Sequence, residues 1–416
     1  MKNKIIYIPP PDKSITIRDL VLSSLSDKKI KILNPLISED SLNTIKNLRR
    51  LGAKIKINSK SIEIKGFGKY GAKKAQINVG ESALLLRLLL PILLNQKFPY
   101  KINGQKTILR RSFKQDILIF KKMGAKIKHN NFKLPIQTYP SILKPLNFKT
   151  SSAQTKSALL IASLYSGPIK IKETFLTRDH TERILKVFGI TTHKAGKSIY
   201  ITKNKLTPKN IEVPGDISQA AVFITIALLL KKEIVIKNCG INPKRIGFLK
   251  AISEMGAKIL FKNKKVISNE PIADIHIKPP KNLKPIVIKE DITTMIDEIM
   301  PLALIMAKAK GKSEIHHINL LKNKESDRFS NIFLILKKLG VRVKRTKNKL
   351  TIIGPSDFKK IKSLDPQKDH RVAMIGGLLK IINNPEIKIK DKDSVSKTYS
   401  SFWKDLRNYL GSIEKL

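Results

Sequence analysis

Leu51-Gly52-Ala53-Lys54-Ile55 returns along the chain as Met123-Gly124-Ala125-Lys126-Ile127, as Phe188-Gly189-Ile190, as Met255-Gly256-Ala257-Lys258-Ile259 and as Leu339-Gly340-Val341-Arg342-Val343. Each copy closes a stretch with helical spacing of apolar residues; before the first, Leu42, Ile45, Leu48 and Leu51 share one face. The glycine reads as a left-handed helix C-cap, and the β-branched residues after it as a strand. A recurrence of about seventy residues marks a repeated supersecondary unit.

A second helix recurs out of phase with the first. Its copies begin near Lys13-Ser14, Gly80-Glu81-Ser82, Ser151-Ser152, Gly215-Asp216, Asp297-Glu298 and Asp369-His370. They run into stretches such as Ala158-Leu159-Leu160-Ile161-Ala162, apolar on nearly every side, so these helices should be buried. Their polar residues gather at the N-terminal ends, where unpaired N–H groups and the helix dipole favour anions. Ser, Asp and Gly begin many helices as simple caps. Capping does not explain why Arg or Lys accompanies so many of these starts. Six such starts suggest two α/β domains of three units each, facing one another across an anion-binding cleft.

Composition bounds the possibilities. The chain has 416 residues, 41% hydrophobic and 6% aromatic, enough for two or three cores built from Ile, Leu, Val and Ala. One cysteine, Cys239, excludes an intramolecular disulfide framework and any multi-cysteine zinc site. The apolar runs around Leu84–Leu94 and Ala220–Leu230 are too short to span a bilayer, and Arg87 interrupts the first. Met1–Tyr7 does not read as a signal peptide. A soluble, cytoplasmic protein is expected.

Lys and Arg number 82 against 32 Asp and Glu, a net charge of +50. A nucleic-acid binder is one reading of that excess. The lysines, however, are spread over the whole chain and are not interleaved with aromatics as a strand-stacking surface requires. Solvated surface lysine is the plainer reading, with no specific nucleic-acid partner expected. The same field would draw in small anions.

Four clusters carry chemistry. Asp12-Lys13-Ser14 is followed one helical turn later by Arg18, combining a point charge, a hydroxyl and a planar fork suited to phosphate and carboxylate. Thr177-Arg178-Asp179-His180-Thr181-Glu182-Arg183 comes next, then Lys324-Glu325-Ser326-Asp327-Arg328, then Asp369-His370-Arg371 with Lys397-Thr398-Tyr399 beyond it. Mixed charges this dense are unusual for a solvated loop.

In that ordered set, from Asp12 to Leu406, the chain resembles the 3-phosphoshikimate 1-carboxyvinyltransferase (EPSP synthase) family. The resemblance implies the inverse α/β barrel-like enolpyruvyl transferase fold: two domains, each of three βαβαββ units, with the active site in the interdomain cleft. The expected domains are residues 1–11 with 214–416, and an inserted 12–213. The implied reaction moves the enolpyruvyl group of phosphoenolpyruvate to the 5-hydroxyl of 3-phosphoshikimate through a tetrahedral intermediate, without metal or cofactor, in a monomer. By the same resemblance Lys13 touches both substrates. Ser14, Arg18, Ser152, Gln154, Thr177, Arg178, Asp297 and Lys324 hold 3-phosphoshikimate. Ala83, Arg111, Gln154, Arg328, His370, Arg371 and Lys397 surround phosphoenolpyruvate. Asp297 deprotonates the 5-hydroxyl, and Glu325 exchanges a proton with the methylene carbon. Physical chemistry agrees: two phosphorylated carboxylates can share one site only if several cations neutralise them.

The sequence departs from the family pattern at Ala83 and Leu84, where glycine and a small hydroxyl residue are usual. The added methyl should narrow the phosphoenolpyruvate site, weaken phosphoenolpyruvate binding and leave the enzyme poorly sensitive to glyphosate. Pro11, Ser112 and Ser400 are further departures. A catalytically weakened homologue and a nucleic-acid-binding protein are the alternatives. The sister transferase acting on UDP-N-acetylglucosamine carries Lys-Asn where this chain has Lys13-Ser14, and a reactive cysteine that Cys239 cannot supply. His129, His193, His276, His316 and His317 read as structural or surface residues, the last two on opposite sides of one strand.

Overall fold

A computed structural model describes residues 4–201 and 206–414. Residues 1–3, 202–205 and 415–416, inside the expected domain ranges, lie outside the described residues. The chain forms two compact lobes. An inserted lobe comprises Pro11–Pro214 and Val266–Glu270; a discontinuous lobe comprises Met1–Pro10, Gly215–Lys265 and Pro271–Leu416.

The inserted lobe carries α1 (Lys13–Ser23), α2 (Glu39–Arg50), α3 (Ala83–Leu94), α4 (Lys114–Lys122), α5 (Ala153–Ser166) and α6 (His180–Val187). Its sheets share one plan, seen in Phe148–Thr150, Ile171–Glu173, Ser198–Ile201 and Thr192–Ala195: a parallel pair followed by an antiparallel hairpin. The parallel pair brackets a buried helix and the hairpin follows an amphipathic one, which is the βαβαββ order. The first unit is completed from the far end of the lobe, where Ile211–Glu212 pairs with Lys29–Leu33.

The discontinuous lobe repeats the plan with α7 (Ile217–Leu229), α8 (Gly247–Glu254), α9 (Ile299–Met306), α10 (Arg328–Lys338), α11 (His370–Ile382) and α12 (Phe402–Glu414). Here Ile5–Tyr7 supplies the first strand, parallel to Ile234–Gly240. The last unit ends in a two-stranded parallel sheet, Ser363–Leu364 with Lys388–Ile389, and in α12 instead of a hairpin.

The cores follow from the periodicities. Strand Lys29–Leu33 alternates exposed and buried, so its sheet has one solvent face and one core face. Helix α3, ALLLRLLLPILL, is buried at every position except Arg87. It packs on α1 and α5, and in the other lobe α7, α9 and α11 pack on one another. Each fully buried Leu or Ile contributes roughly 1.5–3 kcal/mol of transfer free energy. Buried helices with half-solvated sheets around them are thus the arrangement the apolar pattern demands.

The repeated glycines behave as the sequence implies. Gly52, Gly124, Gly189, Gly256 and Gly340 all have positive φ, at the ends of α2, α4, α6, α8 and α10. The buried helices also begin where expected. Asp12, Ser82, Ser152, Asp216 and Asp369 accept a backbone N–H at the starts of α1, α3, α5, α7 and α11. The exception is α9, whose preceding Glu298 makes no cap bond. One expectation is corrected. His316 ends the strand Gly311–His316, but His317 turns out of it with φ 56°, so the two histidines do not share a strand. Among the described residues no helix is long and apolar enough to cross a membrane.

Candidate active site: cation and carboxylate clusters at helix starts

In the discontinuous lobe the starts of α9, α10 and α11 are tied together by one guanidinium. Arg328 opens α10 and is 4% exposed. Its Nε and Nη2 donate to the two oxygens of Asp369 at 2.9 and 3.1 Å, and its Nη1 donates to Asp297 at 3.1 Å. Asp369 is fully buried, also accepts from the Ser326 hydroxyl at 2.9 Å, and caps α11 through the Arg371 N–H at 2.9 Å. A planar fork holding a carboxylate by two bonds fixes geometry in a way a lysine cannot.

Beside this fork sits Glu325. Its Oε2 lies 2.9 Å from His370 Nδ1 and 3.7 Å from Lys397 Nζ. Lys397 also donates to the Lys368 carbonyl at 2.8 Å. Burial alone pushes the Glu325 carboxyl up, but His370, Arg328 and Lys397 together hold it well below the usual carboxylate range. Without substrate it is therefore a carboxylate at neutral pH. Incoming anionic charge raises that pKa, the direction a proton donor needs. Asp369 is shifted in the same sense: burial and Glu325 raise it, and Arg328 with His370 outweighs them. Arg371 donates from Nη1 to the Ser218 carbonyl at 3.2 Å, while its buried Nε has no protein partner among the described residues. A buried guanidinium donor at a helix N-terminus suits a carboxylate or phosphate.

Glu325, Asp369 and His370 bring three ligand-type atoms within 4.8 Å of one another. Arg328 already occupies both oxygens of Asp369, and Lys397 stands at Glu325. The protein's own cations balance this trio, so its donors suit an ion-pair network better than a metal.

In the inserted lobe Lys13 opens α1 and reaches Asp40, at the start of α2, at 2.9 Å. One turn on, Arg18 is 3% exposed and donates to the Ser14 carbonyl at 2.9 Å, Thr181 Oγ1 at 2.8 Å and Ser157 Oγ at 3.1 Å. Burial, aided by nearby Arg178, lowers Arg18 to about 10 against the pull of Asp12, so it stays charged at neutral pH. Ser152 caps α5, and Gln154 in its first turn accepts from Arg87 Nη1 at 2.6 Å. Arg87 also holds Asp116 at 2.9 Å, and Asp116 accepts from the Thr155 hydroxyl at 2.8 Å. Arg87 and Arg111 share the Phe113 ring, at 5.3 and 6.0 Å from its centroid. Thr177 donates its backbone N–H to Glu173 at 3.0 Å; Glu173 and Glu182 flank the fully buried Lys156 at 3.0 and 2.7 Å. Ala83 opens α3, and both it and Leu84 are 5% exposed.

The residues singled out from sequence thus fall into groups. Asp297, Glu325, Arg328, His370, Arg371 and Lys397 form one connected network, with half-buried Lys324 directly before Glu325. Lys13 and Arg18 with Ser14 are held at the start of α1, and Gln154 at the start of α5. Arg111 joins Arg87 through Phe113. Thr177 turns its hydroxyl to Glu173. Sequence reasoning missed Asp40, Arg87, Asp116, Ser157, Thr181 and Ser218 as partners of these groups. Arg87 left a signal, a lone charge inside an apolar helix. Asp40 and Asp116 left none, because acids in a first turn look like ordinary helix-dipole partners.

A family described as EPSP synthase (3-phosphoshikimate 1-carboxyvinyltransferase) matches residues 3–406. The 3-phosphoshikimate 1-carboxyvinyltransferase of Endomicrobium trichonymphae is 37% identical over 410 residues, covering 96% of this chain and 95% of that one. Its counterpart in Persephonella marina is 36% identical over 418 residues, covering 97% and 96%. The solved EPSP synthase of Acinetobacter baumannii superposes with a TM-score of 0.84 at 29% identity, covering 98% of this chain and 95% of that one.

Proposed function

The chain belongs to the EPSP synthase (3-phosphoshikimate 1-carboxyvinyltransferase) family, a transferase of the shikimate pathway, and from that premise we propose how its residues carry the reaction. The enolpyruvyl group of phosphoenolpyruvate passes to the 5-hydroxyl of 3-phosphoshikimate, and phosphate is released. Lys13, Ser14, Arg18, Ser152, Gln154, Thr177 and Arg178 of the inserted lobe hold the phosphorylated ring. Asp297 and Lys324 of the discontinuous lobe orient its hydroxyls. Arg328, His370, Arg371 and Lys397, with Arg111 and the N-terminus of α3 at Ala83, hold the enolpyruvyl donor.

Chemistry then runs between two carboxylates. Asp297 takes the 5-hydroxyl proton as that oxygen bonds to the donor's central carbon, and Glu325 delivers a proton to the methylene carbon. The product of this addition is a tetrahedral ketal phosphate. Glu325 next removes a proton from the new methyl group as the carbon–oxygen bond to phosphate breaks, and the proton held by Asp297 leaves with phosphate. The surrounding cations stabilise charge on the departing phosphate. Both substrates are dissolved anions, which fits action by a cytoplasmic monomer.

The single observation that carries this reading is the setting of Glu325, a carboxylate 14% exposed and held between His370 and Lys397. Proton transfer by such a group contributes about 10²–10⁴-fold to rate. Purified enzyme supplied with both substrates should release phosphate, and Glu325→Gln should slow turnover by about 10³-fold without unfolding the protein. Phosphate release at an undiminished rate by Glu325→Gln would refute the assignment.

A further inference from the structure

Asn242-Pro243-Lys244-Arg245 leads into α8, and nothing in the reaction above uses it. Arg245 is nevertheless 4% exposed, and its Nη1 donates to both oxygens of Glu298 at 2.9 Å. Glu298 is fully buried and directly follows Asp297. Ser218, in the first turn of α7, donates its hydroxyl to Glu298 and accepts from Arg245 Nη2. Arg245 Nη2 also lies 3.5 Å from Asp216, the cap of α7.

These contacts close a ring. From Glu298 the backbone passes to Asp297, which accepts from Arg328; Arg328 grips Asp369; Asp369 accepts the Arg371 N–H. Arg371 donates to the Ser218 carbonyl, and the Ser218 side chain returns to Glu298 and Arg245. Three members of this ring, Asp297, Arg328 and Arg371, face the chemistry in the reading above. The Arg245–Glu298 pair does not: Glu298 has no exposed surface with which to meet a substrate. Its effect can reach the reaction only through its neighbours.

We propose that Arg245 and Glu298 are positioning residues for the transfer: the pair closes a hydrogen-bonded ring that fixes Asp297 for the 5-hydroxyl and Arg371 for the anionic enolpyruvyl donor. This rests on the site assignment above. A buried ion pair is costly to desolvate, and apolar side chains of similar size often replace one without loss of stability. Stability alone therefore does not account for it, whereas the fixed geometry of two reacting groups does.

The test is steady-state kinetics with thermal unfolding in parallel, on the double variant Arg245→Met/Glu298→Met, on Arg245→Lys and on Asp297→Asn. The double variant should fold, with kcat down about 20-fold and KM for phosphoenolpyruvate up about threefold, within the roughly hundredfold cost of a 1 Å misplacement. Arg245→Lys keeps the charge but loses the fork, and should fall between it and the unsubstituted enzyme. A folded double variant with unchanged kcat and KM overturns the proposal; should it fail to fold, unchanged constants in Arg245→Lys overturn it. Full turnover by Asp297→Asn would instead sink the site assignment. An inactive Asp297→Asn beside a fully active double variant removes only the positioning role.

Discussion

Ala83 adds one methyl group at the first residue of α3, where the free N–H groups of the helix point at any bound anion. Leu84 packs into the core and offers no hydroxyl there. On the proposed assignment of the donor site, the consequence is a tighter, less polar edge to it. Glyphosate, which occupies that site in the family, should not inhibit the enzyme at micromolar concentration. Ala83→Gly should lower KM for phosphoenolpyruvate and tighten glyphosate inhibition by about tenfold, the equivalent of 1.4 kcal/mol. Inhibition of the unsubstituted enzyme by micromolar glyphosate would show that the methyl does not narrow the site. Single residues act here through the ends of helices, where an added or missing atom meets the ligand directly.

At the scale of elements, buried carboxylates hold sheets and helix starts together. Asp274, on the strand Glu270–Lys278, accepts from Lys237 Nζ at 2.7 Å, the Asn238 N–H at 3.0 Å and Asn263 Nδ2 at 2.8 Å, tying three strands of one sheet. Burial raises its pKa, yet these donors outweigh burial and bring it down to about 2. An unfolded aspartate titrates near 3.9, so the stabilisation is complete above that pH and is lost as pH falls toward about 2. Lys237 is 36% exposed, which screens part of the effect. Asp274→Asn should cost about 1–2 kcal/mol in urea unfolding at pH 7, and the difference should shrink as the pH falls toward 2. Equal stability at pH 7 would contradict the assignment.

The legibility of the fold and site divides at this same scale. Helix starts were readable because Ser82, Ser152, Asp216 and Asp369 precede apolar runs, and helix ends because Gly52, Gly124, Gly189, Gly256 and Gly340 recur in register. The ion-pair network of the candidate site was readable because Lys324–Arg328 and Asp369–Arg371 are dense in mixed charge. The supports were not. Arg245 and Glu298 are separated by some fifty residues and each resembles an ordinary surface charge, and only tertiary packing buries them against each other. The sequence shows periodicity and local chemistry; which distant acid meets which base is decided by the fold.

Across the whole molecule the net charge of +50 is spread along the chain, and part of it lies on strands. Lys29, Lys65 and Lys54 stand side by side on adjacent strands, with Lys31, Glu63 and Lys56 in the next row. Glu63 pairs with Lys29 at 2.8 Å, and that bond lowers its pKa. Like charges in a row repel unless mobile anions screen them. Capture of the two phosphorylated substrates should therefore weaken with salt, kcat/KM falling as ionic strength rises from about 0.05 to 0.5 M. Binding to duplex DNA should be steeply salt-dependent and indifferent to sequence. A sequence-selective complex that survives salt would mark the charge as a recognition surface.

The central claim is that Glu325 places a proton on the methylene carbon and takes one back. Running the reaction in deuterium oxide and following the enolpyruvyl methylene by NMR tests it most directly. The methyl group of the intermediate would carry one solvent deuteron, so deuterium should appear in the methylene of the product, and Glu325→Gln should slow both turnover and exchange by about 10³-fold. Product formed with a fully protiated methylene, or exchange undiminished in Glu325→Gln, would contradict the account.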